Sequence, residues 1–234
     1  MTPWAPVKVG SIVEGDGEVA AVAELLHRLG AELDPPVLLA AKSPVRVHRD
    51  RFLIGAGVSK PSKSAKASLA ADRQREFGDR VDIAARRATD MGFMLVLLDT
   101  EGGCAAQLGP ALAKAVYAER SDRTSVVAFA HQEYECWFLA AAESIRGKCS
   151  LADDLTAHPA PETKRDAKGW LTDHMPDGVC YKETTNQEKL AAVFDMAAAY
   201  AACRSFRHLC TAIAEACRDL GWAGSAPWED GRWP

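Results

Sequence analysis

No apolar stretch in these 234 residues reaches the length that a membrane-spanning helix needs. Met1-Thr2-Pro3-Trp4 does not open as a secretory leader, so the expectation is a cytoplasmic chain with no membrane partner. There is no surplus of positive charge. The count is 28 Lys and Arg against 32 Asp and Glu, a net charge of −4, which excludes a generally basic nucleic-acid binder but not a local basic track. The seven cysteines are odd in number and lie in helical or strand-like text, which points to reduced thiols rather than a disulfide framework. No GxxxxGK[ST] sequence occurs, so by this test the chain has no ATPase of its own. Internal repeats and low-complexity tracts are also missing. What is present is a hydrophobic fraction of 48%, enough for one large domain or for one domain with a helical appendage.

An apolar run with β-branched residues, Val7–Val13, predicts a central strand, and it ends abruptly in Glu14-Gly15-Asp16-Gly17-Glu18. Val19, Val22, Leu25, Leu26 and Leu29 then recur at helical spacing, giving a helix over 18–29 closed by Gly30. Strands follow at 37–41, 93–98 and 125–130, with helices over 67–91, 108–118 and 132–145; residues 42–66 read as an irregular basic loop. This alternation predicts an α/β fold, a parallel sheet flanked by helices. Beyond Gly147 the text changes: a polar linker at 153–168, a helical stretch at 187–220 broken near Cys203-Arg204-Ser205, and a Trp-containing tail from Gly221. The expected division is an α/β domain over 1–147 and a mainly helical C-terminal extension over 148–234 packed on it. Cys203, Cys210 and Cys217, seven apart on one helical stripe, read as small core residues rather than zinc ligands.

The chemistry concentrates at strand ends. Glu14 and Glu18 follow the first strand, Asp99 and Glu101 the strand at 93–98, and Glu133 and Glu135 the strand at 125–130. Parallel sheets build sites at the carboxyl edge, so these acids fall on one edge of one sheet. Acids at helix N-termini also complement the helix dipole, which is explanation enough for Glu18 alone. Glu14 and Asp99 together point to a site. Clustered carboxylates repel one another unless a cation sits among them, and oxygen ligands without Cys/His pairs favour Mg2+ or Mn2+ over zinc. His131 reads as structural.

The EGDGE turn, the LLDTEG strand end, the EYECWFLAAAES segment and QEKLAAVFDMAAAYAACRSFRHL at 187–209 together resemble the Toprim-related bacterial family of domain of unknown function 4276, from Val7 to about Leu209. The resemblance implies a Toprim/Rossmann-like fold whose acidic set binds magnesium. Glu14 matches the first glutamate, Glu18 the second acid of EGxxE and Asp99 the first aspartate. Glu101 stands where the motif has aspartate, which loosens its assignment. Glu133 and Glu135 match the acidic segment beside Trp137.

From this follows the expectation of a Toprim-type nuclease acting on DNA. Glu14, Glu18, Asp99, Glu101, Glu133 and Glu135 would be the metal ligands, and Lys189 and Arg207 the preferred basic residues at the phosphate ahead of Lys164 and Lys182. A separate ATPase of the AAA or ABC type in a prokaryotic antiphage defence system is the implied partner, and the chain could form a homo-oligomer. The DNA track is placed on the basic segment, at Arg46, Arg49, Arg51, Lys60, Lys63 and Lys66. Two alternatives stand: a non-catalytic Toprim-like interaction subunit, and a metal-dependent hydrolase or phosphotransferase acting on small nucleotides.

Overall fold

Runs such as GFMLVLLD and SVVAFA have no polar face to offer water, so their strands belong in the middle of a sheet covered on both sides. A computed structural model places them there and describes residues 6–59, 67–89 and 91–234. In chain order the first elements are β1 (Val7–Val13), α1 (Asp16–Glu32), β2 (Leu39–Ala41), β3 (Val45–Arg46), α2 (Arg49–Gly55), α3 (Ala67–Ala88), β4 (Gly92–Asp99), α4 (Ala105–Glu119) and β5 (Ser125–Ala130). The C-terminal part holds α5 (Cys136–Ala140), α6 (Ala167–Asp173), α7 (Glu188–Ala191), α8 (Met196–Ala202) and α9 (Arg204–Asp219), with 3-10 turns between them and a π-helical turn at Glu183–Gln187.

The sheet has five strands in the order β2-β1-β4-β5, with β3 also on β1. Every pairing is parallel. β2 meets the first half of β1 (Val7↔Leu39) and β3 its second half (Ile12↔Val45), so the two short strands act as one interrupted edge. β4 pairs with β1 from Lys8↔Gly92 to Ile12↔Val96, and with β5 from Met94↔Ser125 to Asp99↔Ala130. This is the α/β arrangement and helical C-terminal part expected from the sequence.

Side chains alternate across the sheet as the two-residue period requires. Phe93, Leu95, Leu97, Val126, Ala128 and Ala130 join one core with α1 and the C-terminal helices. Met94, Val96, Leu98, Val127 and Phe129 join a second core with α3 and α4. Gly10 permits the second contact, because a Cβ there would lie 1.9 Å from the Ala84 carbonyl oxygen of α3. Cys203, Cys210 and Cys217 are buried in the first core, as their stripe suggests.

Several boundaries differ from the sequence reading. Within 42–59 the chain is not irregular throughout but forms β3 and α2; residues 60–66 lie outside the described residues. The 108–118 helix starts earlier, at Ala105, with Pro110 inside it. The 132–145 helix shrinks to α5 and a 3-10 turn at Ala142–Ile145, because Gln132 has φ 65° and turns the chain before a helix can begin. The helical stretch from 187 divides into α7, α8 and α9, with the break at Cys203 where it was expected. Among the described residues no helix is long and apolar enough to cross a membrane.

The C-terminal part is tied to the sheet layer by specific bonds. Arg28 of α1 donates to the carbonyls of Ala191 and Phe194, both at 2.7 Å, and lies over the Phe194 ring. Trp137 donates to Ser205 Oγ at 2.9 Å, and the tail returns so that Trp222 donates to the Pro35 carbonyl at 2.9 Å. Arg28→Ala would leave two carbonyls without their donor and is expected to cost about 3 kcal/mol. Urea unfolding monitored by tryptophan fluorescence reads this directly, and a loss below about 0.5 kcal/mol would show that the bonds are not holding the two parts together.

Candidate active site

The turn after β1 is built by Glu18. Its Oε2 accepts the backbone N–H groups of Glu14 (2.9 Å) and Gly15 (3.0 Å), a side chain in the first turn of α1 reaching back over the helix start. The dipole-and-capping role is therefore real for Glu18. Its carboxylate is nonetheless buried beside the other acids, at 5% exposure. Gly17 has no room for a side chain, since a Cβ would sit 2.2 Å from Gln187 Oε1 and 2.7 Å from the Glu183 carbonyl. The π-helical turn thus docks directly on α1 and brings Glu183 to this edge.

The end of β4 is held by Arg49. Its Nε donates to the Asp99 carbonyl and its Nη2 to the Thr100 carbonyl, both at 2.7 Å; Nη1 meets Asp50 at 2.7 Å and Glu101 Oε2 at 3.2 Å. Thr100 donates its N–H to the Ala130 carbonyl, and its Oγ1 accepts from Gln132 N–H at 2.7 Å, so the ends of β4 and β5 are stitched together. Glu101 (φ 46°) and Gln132 (φ 65°) both take the left-handed conformation there, a local strain that the cross-bonds maintain.

After β5 the acids divide. Glu135 is buried, and Tyr181 donates its hydroxyl to Oε1 at 3.0 Å. Glu133 faces a cleft of about 460 Å³ whose wall also includes Asp99, Glu101, Arg165 and Lys168. Lys168 stands in the first turn of α6, whose N-cap Asp166 accepts Gly169 N–H. Its ammonium donates to Glu183 Oε2 at 2.6 Å, and its backbone N–H donates to Glu133 Oε2 at 3.3 Å.

These charges act on one another. Burial pushes the Glu14 carboxyl up to about 7, with Glu101 and Glu18 adding to the shift and Arg49 opposing it. Burial also raises Glu135 to about 7 against the pull of Lys168. Asp99 is raised well above the carboxylate range by burial and then by Glu18, Glu135 and Glu14. Glu18 is raised by burial despite its two backbone donors. Lys168 answers in the opposite sense. Burial lowers it, but Glu135, Glu183 and Asp99 outweigh that and hold it charged.

The structure gathers Glu14, Glu18, Asp99, Glu101, Glu133 and Glu135 on one edge, as the sequence placed them. It does not do so for the expected basic residues. Arg207 donates to the Tyr200 and Ala201 carbonyls at 2.8 Å, closing the end of α8, and Lys189 is exposed on α7. Lys168, inside the stretch read as a linker, instead lines the cleft at this edge. The DNA track changes too. Arg49 is buried behind the acids, Arg46 is exposed but pairs with Asp16 at 3.2 Å, and Arg51 is exposed; Lys60, Lys63 and Lys66 lie outside the described residues.

The donor set suits a hard cation, being all carboxylate oxygen. Buried Oε2 atoms of Glu14 and Glu135 have no hydrogen-bond partner, as an uncapped ligand would not. Among the described residues, however, no group of three or more His, Cys, Asp or Glu side chains is already drawn together to hold an ion. The residues fit magnesium or manganese in chemistry and charge, and binding would have to draw them in.

The sequence profile of the family described as domain of unknown function (DUF4276) matches residues 13–214, which spans every acid above and Lys168. No curated protein and no solved structure matches the chain.

The raised carboxyls set a pH dependence. Glu14 and Glu135 have an ordinary value of 4.5 and a folded value of about 7, so the metal-free fold retains protons that the unfolded chain has released. The stability this gives is complete below about 4.5 and is lost as pH rises through about 7. The melting temperature of metal-free protein is expected to fall between about pH 5 and pH 8, and magnesium to raise it more at the upper pH, because a cation binds ionised carboxylates. A magnesium increment that is the same at both pH values would contradict the assignment.

Proposed function

The chain belongs to the DUF4276 family, and from its acid-lined strand edge we propose that it is a metal-dependent nuclease of Toprim type that hydrolyses DNA phosphodiester bonds. The observation that carries the reading is the placement of Glu14 and Asp99 at the carboxyl ends of adjacent parallel strands, with a buried Glu14 oxygen that no protein group satisfies. Magnesium or manganese held by Glu14 and Asp99, with Glu18, Glu101, Glu133 and Glu135 completing the acidic set, would polarise the phosphate and make bound water a nucleophile at neutral pH.

The chain's own residues do the rest. Lys168 offers a charged ammonium on the cleft wall facing Asp99; exchanging Glu183 for a phosphate oxygen would let it stabilise charge that develops there. Arg165 widens that positive wall. Arg49 spends Nε and Nη2 on the Asp99 and Thr100 carbonyls and so fixes the strand end, while Nη1 pairs with Asp50 and Glu101. Tyr181 holds one oxygen of Glu135 and leaves the other without a protein partner, available to a cation. A separate ATPase partner belongs to this proposal as what the family resemblance implies.

A second reading, a non-catalytic interaction subunit, draws on the ion pair between Glu101 and Arg49 and on the absence of a preassembled ligand trio among the described residues. Plasmid nicking separates the two. With magnesium or manganese the wild type is expected to cut, Glu14→Ala and Asp99→Ala to be inactive, and Lys168→Ala to lose about 100-fold in rate while still binding manganese. Cutting that survives Asp99→Ala would contradict the proposed site. A wild type that binds manganese and never cuts would establish the second reading.

A further inference from the structure

β5 is the last strand of the sheet, and among the described residues nothing pairs with its outer side. Met94 N–H bonds to the Thr124 carbonyl and Thr100 N–H to the Ala130 carbonyl, so the even-numbered residues of this strand turn their backbone groups to β4. The odd-numbered ones, Ser125, Val127 and Phe129, turn theirs outward. Among the described residues, of these only the Val127 carbonyl meets a side chain, His208 Nε2 at 3.4 Å. The strand reads SVVAFA, with no lysine, proline or bulge of the kind that protects a bare edge. A groove of about 840 Å³ runs along it between α4 and α9.

The two walls differ. On α4 the groove meets Ala106, Gly109, Pro110 and Ala113, and a Cβ at Gly109 would find open space. Pro110 cannot donate to the Ala106 carbonyl, so that acceptor lacks its helical partner on the groove side. On α9 the exposed lining residues fall in a charged order: Arg204 and His208, then Glu215 and Asp219. The basic end lies by the end of β5, because Glu162 accepts Arg204 N–H through its carboxylate and His131 through its backbone carbonyl.

From this we propose that the β5 edge is a docking groove for an extended segment of a partner protein, which would add to the sheet as a further strand. A second copy of this chain fits poorly. It would bring its own α4 and α9 alongside β5, and packed helices need about 8–10 Å where paired strands stand about 4.8 Å apart. The segment's chemistry follows from the walls. Small apolar side chains would face α4, and the alternate side chains would face α9. Arg204 and Glu215 are eleven residues apart, about 16 Å along a helix, which is about five residues of strand. For antiparallel addition, an acidic residue would therefore precede a basic one on the α9-facing side by four or six positions.

Hydrogen exchange and peptide binding test this together. In the free chain the Val127 and Phe129 amides are expected to exchange at least about 100-fold faster than those of Val126 and Ala128. The binding probe is a synthetic ten-residue peptide of alternating Val and Thr with Asp replacing the second Thr and Lys the fourth, compared with its twin in which Asp and Lys are exchanged. The first is expected to bind at least about tenfold more tightly and to slow both amides. Gly109→Leu, which fills the groove from an exposed helix, is expected to abolish binding while leaving the melting temperature and plasmid nicking unchanged. Protected Val127 and Phe129 amides in the free chain, equal affinity for the two peptides, or no binding at about 1 mM would overturn the proposal. A concentration-dependent dimer that Gly109→Leu dissolves would also overturn it, in favour of a second copy.

Discussion

Carboxylates that end neighbouring parallel strands cannot all stay charged in a partly buried edge, and the surrounding structure is organised around that repulsion. β1 and β4 run side by side and deliver Glu14 and Asp99 to the same edge, while the turn after β5 adds Glu135 beneath them. Each is shifted upward chiefly by burial; acidic neighbours add to this for Glu14 and Asp99, whereas Lys168 pulls against it at Glu135. The protein's two answers are Arg49 and Lys168, and they differ in kind. Arg49 divides its donors between two backbone carbonyls, which brace the strand end, and the Asp50 and Glu101 carboxylates, whereas Lys168 reaches the cleft with one exchangeable carboxylate partner. Together they leave the edge short of positive charge, which is the condition for recruiting a cation.

The edge is completed by the C-terminal half. Lys168, Tyr181 and Glu183 all come from beyond residue 147, on α6, the segment after it and the π-helical turn. Their positions depend on Gly17 admitting the π-helical turn against α1 and on Arg28 tying α1 to α7. The two parts share one hydrophobic core, in which Trp137 packs edge-on against Phe206 at 5.1 Å between ring centroids. Charge chemistry at the strand ends is therefore coupled to apolar packing more than sixty residues away in sequence.

The strands and the acids were legible in the sequence because both are local signals. An unbroken apolar run followed by an acid marks a buried parallel strand and its carboxyl end, and Glu14, Asp99 and Glu135 follow that rule. Arg49 was misplaced because its surroundings, RVHRDRFLIG, read as a charged loop; what buries it is a pair of carbonyls fifty residues away. Lys168 was missed for the same reason, since nothing in a proline-flanked polar stretch announces that it folds over the sheet edge. Arg207 looked catalytic by its place in a family-like segment, yet its donors close a helix end, a role that only the break at Cys203 creates.

The most direct test of the account is an anomalous difference map from crystals grown with manganese. A peak bounded by the Glu14 and Asp99 carboxylates is expected, with Lys168 remaining on the facing wall of the cleft. An edge without a peak, or manganese found only at exposed surface acids such as Asp122 or Asp154, would contradict the claim that uncompensated charge at these strand ends makes a cation site.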